Sequence, residues 1–238
     1  MFRNKGYCHC CDSRVEFVAT SVWWRDDYRC TNCQSIPRER AVMYCLEKFF
    51  PRWRDLTIHE SSPVLGRGPS RRLVAEAVGY LPSYYYPNVP PGESVNGVRS
   101  ENLEKLSFSD ESIDLHITQD VFEHLFDPAA AFREIARTLR PGGAHVFTTP
   151  LENKEAATEF CARRTPDGQV VQLIEPAQYH GNPVSSEGSL LTVRWGYDIT
   201  QYIFDATGLT TELVVLDNLE FGIRAEFIEV LITRRPGG

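Results

Sequence analysis

Segments with helical and strand-like patterns alternate along residues 37–150, and this alternation constrains the fold more than any other feature of the sequence. Short strands that are separated by helices favour parallel βαβ units. After a loop-rich stretch, one further helix and a pair of strands complete the pattern. We therefore predict an α/β fold with a doubly wound, Rossmann-like and mostly parallel sheet of seven strands. The predicted helices cover 37–50, 71–79, 129–140 and 197–208, and the predicted strands cover 55–60, 84–86, 95–100, 113–118, 144–150, 211–217 and 224–233.

Turn and capping residues set the ends of the predicted helices. Ser70 is expected to cap the second helix and Gly79 to end it. Asp127-Pro128 is expected to open the third helix, which would end at Pro141-Gly142-Gly143. Gly208 is expected to stop the last helix, because glycine readily adopts the left-handed conformation found at helix ends.

Five of the seven cysteines fall within the first 33 residues. Cys8 and Cys11 form one C-x-x-C pair, Cys30 and Cys33 form a second, and residues 12–29 lie between the pairs. Two such pairs supply four thiolates to one tetrahedral zinc ion. Four protein ligands leave no position for water, so the predicted zinc is structural. We predict a zinc-knuckle module over residues 1–36 and a second domain over residues 37–238.

Other interpretations of the cysteine cluster stay open. His9 or Cys10 is able to take the place of a neighbouring ligand, and reduced, buried thiols without a metal give the same spacing. Trp23 and Trp24, which lie between the two pairs, are expected to pack the module rather than bind a ligand. Zinc modules of this kind bind nucleic acid or protein in other chains, so the cluster alone does not fix a function.

The charge balance and the lack of long apolar runs exclude several classes of partner. Lys+Arg 25 against Asp+Glu 32 give a formal net charge of −7. Broad binding to a phosphate backbone needs a basic stripe, so nucleic acid is not an expected partner. No apolar run approaches the ~20 residues of a membrane helix, and the start MFRNKGYCHC lacks the pattern of a signal peptide. We predict a cytoplasmic protein without a membrane partner; the oligomeric state stays open.

A short polar turn follows the first predicted strand of the large domain. A doubly wound sheet binds ligands beyond the carboxyl ends of its strands. Glu60 offers a carboxylate at this position, and Ser61 and Ser62 are small enough for a ligand to approach the backbone. The glycines expected in a nucleotide-binding turn are displaced to Gly66 and Gly68.

Residues 101–150 carry a more specific pattern. It comprises an acidic turn, the strand and loop IDLHITQDVFEHL, and the helix ending FREIARTLRPGG. In this combination the chain resembles the class I S-adenosylmethionine-dependent methyltransferases, over about three quarters of its length. The resemblance implies S-adenosylmethionine as cofactor and methyl transfer to an oxygen or nitrogen atom of a small-molecule acceptor.

The resemblance also implies where the cofactor binds. The acid that ends the first strand lies near the methionine end, the turn before the fourth strand contacts the adenine, and residues just after the fourth strand flank the cofactor. The implied cofactor-binding residues are Glu60, Ser61, Ser62, Ser83, Tyr85, Glu101, Asn102, Leu103, Gln119, Asp120, Val121 and His124.

Two features depart from the family pattern. The glycine-rich first motif is replaced by Ser61-Ser62-Pro63. The acid that usually ends the second strand and binds the ribose hydroxyls is missing from residues 82–87. A hydroxyl of Ser83 or Tyr85 is the candidate substitute for that acid.

The insert at residues 151–196 is expected to roof the substrate pocket, and its loop EPAQYHGNPVSSEGS (175–189) carries the catalytic candidates. His180 is the candidate base, with Tyr179 beside it, because imidazole titrates near neutral pH. The alternative is that both residues only order the loop. His116 and His145 lie within predicted strands and are expected to be structural.

Rival functions remain at this point. One is a macromolecule methyltransferase that recruits its substrate through the zinc knuckle. Another is a non-catalytic binding protein that keeps the fold, which the altered first motif and the missing acid favour. An NAD-dependent oxidoreductase is less well supported, because no G-x-G-x-x-G turn follows the first strand.

Overall fold

A computed structural model describes residues 1–181 and 186–238, so part of the 175–189 loop lies outside the described residues. The helices are α1 (Trp24–Asp27), α2 (Pro37–Phe49), α3 (Gly68–Glu76), α4 (Pro128–Thr138) and α5 (Ile199–Thr207). The strands are β1 (Phe2–Cys8), β2 (Ser13–Ala19), β3 (Arg29–Cys30), β4 (Thr57–Ser61), β5 (Gly79–Tyr84), β6 (Ser94–Val95), β7 (Val98–Ser100), β8 (Ile113–Gln119), β9 (Leu139–Thr148), β10 (Glu159–Phe160), β11 (Ala162–Arg164), β12 (Val170–Gln172), β13 (Tyr179–His180), β14 (Ser189–Leu190), β15 (Val193–Arg194), β16 (Thr211–Val214) and β17 (Val230–Arg234). None of the described helices has the length and apolar character needed to cross a bilayer.

The large sheet has the order β16-β17-β9-β8-β4-β5-β7-β6 among the described residues. The run from β9 to β7 is parallel, whereas β17, β16 and β6 each lie antiparallel to a neighbour. This confirms the doubly wound, mostly parallel sheet. The expected number of strands was one too low, because residues 94–100 form a hairpin instead of one strand. Asn96 and Gly97 make its two-residue turn with φ of 51° and 81°, as a tight hairpin requires.

Two apolar layers cover the two faces of the sheet. On one face, Val42 and Leu46 of α2 and Leu73 of α3 belong to the same buried cluster as the strand residues. On the other face, buried residues of α4 and α5 form a second cluster with Phe147 of β9. The central strands are therefore buried on both faces, and polar residues within them, such as His59 and His116, are paired inside the core.

The helix ends with strong capping signals are confirmed. α4 begins at Pro128, and the Asp127 side chain accepts a hydrogen bond of 2.9 Å from the Ala130 N–H. α5 ends at Gly208, which has the left-handed φ of 73°.

The expected ends of α3 were wrong. The helix begins two residues before Ser70, whose hydroxyl donates to the Glu60 carboxylate at 3.0 Å and therefore does not cap the helix. It ends at Glu76, and Gly79 begins β5. A Cβ at Gly79 would lie 3.0 Å from the Leu56 carbonyl oxygen, so the glycine serves close packing against the chain before β4.

Other boundaries also differ from the prediction, among them the end of the strand predicted at 211–217, which is Thr211–Val214. α4 ends at Thr138, because residues 139–143 continue as extended chain into β9 with an irregularity in the ladder to β8. The strand expected at 84–86 lies at Gly79–Tyr84, so two of the three tyrosines follow the strand. The final strand covers Val230–Arg234 only, since residues 224–229 are irregular chain with a bend.

Residues 1–36 form a small antiparallel sheet of β1, β2 and β3 with the short helix α1, which we call the N-terminal module. Its buried residues, including Phe17 and Tyr28, share one apolar cluster with α2. The module also contacts the segment before β17, since the Tyr7 N–H donates to the Glu220 carbonyl at 2.8 Å. A Cβ at Gly6 would lie 2.0 Å from that carbonyl oxygen, so only glycine permits this approach.

Candidate functional site

A cavity of about 960 Å³ lies at the carboxyl ends of the central parallel strands. The order of the sheet reverses between β4 and β8, which is where doubly wound sheets bind their ligands. A volume of this size is at the upper end for small-molecule sites, and thus accommodates a large cofactor. Residues that end or follow four adjacent strands line it: Ser61 and Ser62 at β4, Tyr85 and Tyr86 at β5, Glu101 and Leu103 at β7, and Gln119, Asp120 and Val121 at β8.

The cavity brings together most of the residues that the sequence singled out. The predicted residues that line it are Ser61, Ser62, Tyr85, Glu101, Leu103, Gln119, Asp120, Val121, His124 and His180. Four predicted residues are not among its lining residues, namely Glu60, Ser83, Asn102 and Tyr179.

Glu60 lies behind the cavity wall. Its carboxylate is fully buried and accepts hydrogen bonds from Tyr80 at 2.6 Å and Ser70 at 3.0 Å. The amide nitrogen of Gln119 donates to the same carboxylate at 3.1 Å. Burial raises the pKa of Glu60 to about 7, although these hydrogen bonds oppose the rise. Glu60 thus orients Gln119, which does face the cavity.

The other three residues either form local hydrogen bonds or lie outside the cavity. The Ser83 hydroxyl is buried and lies 2.8 Å from Nε2 of His59, so it is not free to replace the missing ribose-binding acid. The Asn102 side chain accepts the N–H of Glu104 at 2.9 Å. Tyr179 is 59% exposed on the outer side of the insert. Of the two candidate hydroxyls, Tyr85 is the one that borders the cavity.

The turn after β4 replaces a glycine with serine in a left-handed conformation. Ser62 has φ of 56°, and its N–H donates to the Ser83 carbonyl at 2.8 Å. The backbone therefore makes the tight turn that a nucleotide-type ligand needs, although the usual glycine is absent.

Asp120, at the end of β8, joins the cavity to the N-terminal module. Its carboxylate forms ion pairs with Arg25 at 2.6 Å and Arg38 at 2.9 Å, and it accepts the Thr148 hydroxyl at 2.9 Å. Burial raises the pKa of Asp120, but the adjacent Arg38 and Arg25 lower it more, so it stays below its ordinary value. The aspartate is therefore an ionised anchor for the two arginines.

The contribution of the N-terminal module to the cavity was not predicted from the sequence. Arg25 and Trp23 of the module line it, and Arg38 in the first turn of α2 lies beside them. Trp24 packs against Phe2 as expected, with ring centroids 4.5 Å apart, but Trp23 is 46% exposed and lies at the cavity near Phe227. No local pattern marks these residues, because they reach the cavity only through docking of the module.

A second polar group lies beneath the insert. The Glu123 carboxylate is buried, and Oε2 accepts the Thr149 hydroxyl at 2.9 Å. Burial raises the pKa of Glu123 to about 8, and Asp120 adds to the rise. Next to it, Nδ1 of His124 lies 2.8 Å from the Leu190 carbonyl oxygen, and the His180 ring lies edge-on to the His124 ring at 5.1 Å. Glu123 and His124 both line the cavity, so a bound ligand would lie beside them.

The four cysteines of the two C-x-x-C pairs lie together. Sγ of Cys8 is 3.7 Å from Sγ of Cys33, and Sγ of Cys11 is 3.8 Å from Sγ of Cys30. All four sulfur atoms lie within 4.8 Å of one another. A tetrahedral zinc ion with Zn–S bonds of 2.3 Å places its ligands about 3.8 Å apart, so the donor set fits zinc.

Neither alternative ligand belongs to this group. The Cys10 thiol donates to the Glu39 carbonyl at 3.4 Å, and burial raises its pKa well above the ordinary value. His9 is paired with Glu47 through Nδ1 at 2.5 Å. The geometry therefore favours Cys8, Cys11, Cys30 and Cys33 over the other registers.

Comparison with known sequences identifies relatives of one stretch of the chain. Residues 87–147 match the family model described as a methyltransferase domain. A protein of Mycolicibacterium smegmatis, named a probable S-adenosylmethionine-dependent methyltransferase, is 42% identical over 53 residues, which are 22% of this chain and 21% of that protein. Dimethylglycine N-methyltransferase of Parasynechococcus marenigrum is 39% identical over 54 residues, 23% of this chain and 19% of that enzyme. The matches thus span about a fifth of these curated relatives.

Comparison with solved structures covers most of the chain. An S-adenosylmethionine-dependent methyltransferase from Mesorhizobium loti superposes with a TM-score of 0.51 at 18% identity, over 82% of this chain and 98% of that one. The [4+2]-cyclase SpnF superposes with a TM-score of 0.50 at 12% identity, over 84% and 81%. At such identities the likeness shows the fold alone. The chain has the Rossmann-like α/β fold found in S-adenosylmethionine-dependent methyltransferases, and residues 87–147 match a methyltransferase domain.

Proposed function

We propose that this protein transfers a methyl group from S-adenosylmethionine to an oxygen or nitrogen atom of a small molecule. The observation that carries the proposal is the cavity itself. It lies at the reversal point of the sheet, and its walls at β7 and β8 fall within the 87–147 stretch that matches the methyltransferase domain.

Several wall residues fit the cofactor. Oε1 of Gln119 is buried and has no hydrogen-bond partner within residues 1–181 and 186–238, so it is available to a hydroxyl or ammonium group. Tyr85 and Tyr86 offer flat rings at β5, and Leu103 and Val121 offer apolar surface for a planar base. When bound, the cofactor supplies the activated methyl group, and the protein aligns the acceptor and keeps water out.

The acceptor side of the cavity lies under the insert. His180 lines it, whereas Tyr179 points away, so we assign activation of the acceptor to His180 alone. Its imidazole is suited to take a proton from an O–H or N–H group that approaches the methyl donor.

Titration calorimetry with S-adenosylmethionine tests the cofactor assignment. We expect the zinc-loaded protein to bind S-adenosylmethionine and its demethylated product. Val121→Trp fills the cavity and should abolish binding, whereas Val170→Trp, on the exposed strand β12, should bind as the wild type does. Folded protein that binds neither compound would overturn the proposed activity.

His180→Ala tests the assignment on the acceptor side. Turnover with an acceptor found by screening should fall by roughly 10²-fold or more, as expected for loss of general base catalysis, while the cofactor Kd stays within about threefold. Tyr179→Phe is the matched control and should leave both quantities unchanged. Unaltered turnover in His180→Ala removes this residue from the mechanism.

We also propose that residues 1–36 form a zinc-binding module with Cys8, Cys11, Cys30 and Cys33 as ligands, next to a catalytic domain over 37–238 whose insert spans 151–196. The support is the sulfur geometry described above. Metal analysis of purified protein should find one zinc ion per chain at this site. Replacement of both Cys30 and Cys33 by serine should release this ion, and an unchanged zinc content would contradict the assignment.

A further inference from the structure

We propose that Glu123, His124 and His180 form a second metal site, which binds a divalent ion of the zinc type inside the cavity. One ligand atom from each of the three residues lies within 4.8 Å of the others. All three residues line the cavity. This cluster is separate from the four cysteines and differs from them in donor chemistry.

The His124 ring is oriented for metal binding by the insert. Its Nδ1 lies 2.8 Å from the Leu190 carbonyl oxygen, which only accepts hydrogen bonds. Nδ1 therefore carries the proton in the neutral ring, and Nε2 presents its lone pair. Metal-binding histidines commonly have their second nitrogen held in this way.

Glu123 supplies the negative ligand. Thr149 holds one carboxylate oxygen, whereas Oε1 is buried without a hydrogen-bond partner in the described part of the chain. This oxygen lies 3.8 Å from Nε2 of His124. A buried acceptor left without a donor is costly, and a cation between these two atoms would satisfy both.

The third ligand arrives on the hairpin of β13 and β14. His180 pairs with Ser189 in that hairpin, next to the Leu190 whose carbonyl holds His124. Thr192 fixes the insert to the turn below, because its N–H donates to the Glu123 carbonyl at 2.8 Å. The three side chains thus come from two segments, the turn at Glu123 and His124 and the hairpin of β13 and β14, and hydrogen bonds hold these segments together.

The donor set selects the kind of ion. Two imidazoles and one carboxylate favour zinc and its transition-metal neighbours over magnesium or calcium, which prefer oxygen ligands. Asp120 does not add a fourth ligand, since Arg25, Arg38 and Thr148 occupy its carboxylate. Three protein ligands leave at least one coordination position open to the cavity, as in catalytic rather than structural zinc sites.

This arrangement restricts the class of methyl acceptor. The restriction rests on the proposed methyl transfer. The open position accepts an oxygen donor, so the expected acceptors carry a hydroxyl group that reaches the metal. A bound cation lowers the pKa of such a hydroxyl. When the ion is bound, His180 serves as its ligand and the ion activates the acceptor, so His180→Ala lowers turnover in this extension as well.

Calorimetric titration of Zn²⁺ into protein that already holds one zinc ion per chain tests the site. We expect one further binding event per chain. Glu123→Gln keeps the contact with Thr149 but removes the charge, and His180→Ala removes one donor. Each should weaken the second event roughly tenfold or more. Glu152→Gln changes another carboxylate of the same cavity and should leave the zinc affinity unchanged.

Absence of a second event in the wild type, or an unchanged affinity in both variants, overturns the proposal. Circular dichroism and thermal melting of each variant establish that it is folded before titration. The experiment uses neither cofactor nor acceptor, so its failure leaves the proposed methyl transfer standing. Conversely, protein that takes up the second zinc ion but does not bind S-adenosylmethionine refutes the activity and keeps the site.

Discussion

At the scale of single residues, three non-glycine residues that line the cavity have a left-handed backbone conformation. They are Ser62, Asp120 and Phe227, with φ of 56°, 53° and 54°. Such a conformation costs about 1–2 kcal/mol for an ordinary residue. Neighbouring contacts hold each of them, such as the hydrogen bond from Arg25 Nε to the Phe227 carbonyl at 3.2 Å. The rim of the cavity is therefore set by the fold before any ligand binds.

Ser62→Gly measures the strain in the turn after β4. Relief of the left-handed conformation offsets the greater flexibility of glycine in the unfolded chain, so we expect the free energy of unfolding to stay level or rise by up to about 1 kcal/mol. Ser61→Gly changes the adjacent strand residue and should lower it by about 0.5–1 kcal/mol. Urea denaturation of both variants checks the contrast. A Ser62→Gly variant as unstable as Ser61→Gly would show that the turn is unstrained.

The sequence allowed prediction of those site residues that adjoin a strand end. Ser61, Gln119 and Asp120 were found because the carboxyl ends of parallel strands meet at one edge of the sheet. Arg25 and Arg38 were not found, because their pairing with Asp120 bridges segments far apart in the chain. Glu60 was expected at the ligand, yet Tyr80 and Ser70 hold it within the wall.

At the scale of elements, three adjacent strands of the sheet each carry a buried histidine, and the three residues are paired across the strands. Nδ1 of His59 on β4 lies 2.9 Å from Nδ1 of His116 on β8, and His145 on β9 lies 3.0 Å from the Thr118 hydroxyl. Burial lowers the pKa of His59 and of His145 to about 3, and it lowers that of His116 well below its ordinary value. These rings are neutral donors and acceptors of the core, as expected for His116 and His145.

The buried histidines make the protein sensitive to acid. Below pH 6.5 the unfolded chain takes up protons on these rings, whereas the folded chain does not until about pH 3, so stability falls as the pH drops through this window. Each ring with a pKa of about 3 should lower the free energy of unfolding by about 2 kcal/mol at pH 5. In His145→Asn, the difference in unfolding free energy between pH 7 and pH 5 should therefore shrink by about 2 kcal/mol.

Phe147→Leu is the control for that experiment. Phe147 stacks on His145 with centroids 4.2 Å apart, so its truncation weakens the same region without removing a titrating group. Urea denaturation should show it less stable at both pH values, with the difference between them unchanged. If His145→Asn keeps the full wild-type difference, the ring is not the acid-sensitive group.

The ends of helices were predicted correctly where capping signals were strong. The positions of elements that depend on tertiary contacts were not. Asp127-Pro128 and Gly208 located two helix ends, because a side-chain cap and a left-handed glycine act locally. The strand Gly79–Tyr84 was misplaced, because GYLPSY lacks an alternating pattern and owes its position to the parallel ladder with β4. The Asn96-Gly97 turn was present in the sequence but was not recognised as a hairpin.

At the scale of the whole molecule, the N-terminal module and the α/β domain share a core. Buried Phe17 and Tyr28 of the module lie in one cluster with Val42 and Leu46 of α2. Arg40, on α2, donates to the Gly222 carbonyl at 3.0 Å and to the Tyr28 carbonyl at 2.8 Å. The module is thus an integral wall of the molecule, and loss of its fold should be felt in the cavity.

Cys30→Ser tests this coupling. Loss of a zinc ligand should release the metal, lower the Tm, and weaken S-adenosylmethionine binding roughly tenfold or more, because Arg25 no longer holds Asp120. Calorimetry, metal analysis and thermal melting measure the three effects. Cys161→Ser changes a buried cysteine outside the cluster and should keep both zinc and cofactor binding. Zinc loss with unaltered cofactor affinity would show that the module does not support the cavity.

The contact between Gly6 and Glu220 has a consequence for biosynthesis. Gly6 and Tyr7 pack against residues 216–223, which leave the ribosome more than two hundred residues later. The nascent module therefore lacks this support until more than two hundred further residues have been translated. Until then one wall of the cavity stands incomplete, and a polypeptide interrupted before residue 216 would expose the apolar surface that Phe221 and Ile223 otherwise cover. Such fragments are natural targets for chaperones and proteases.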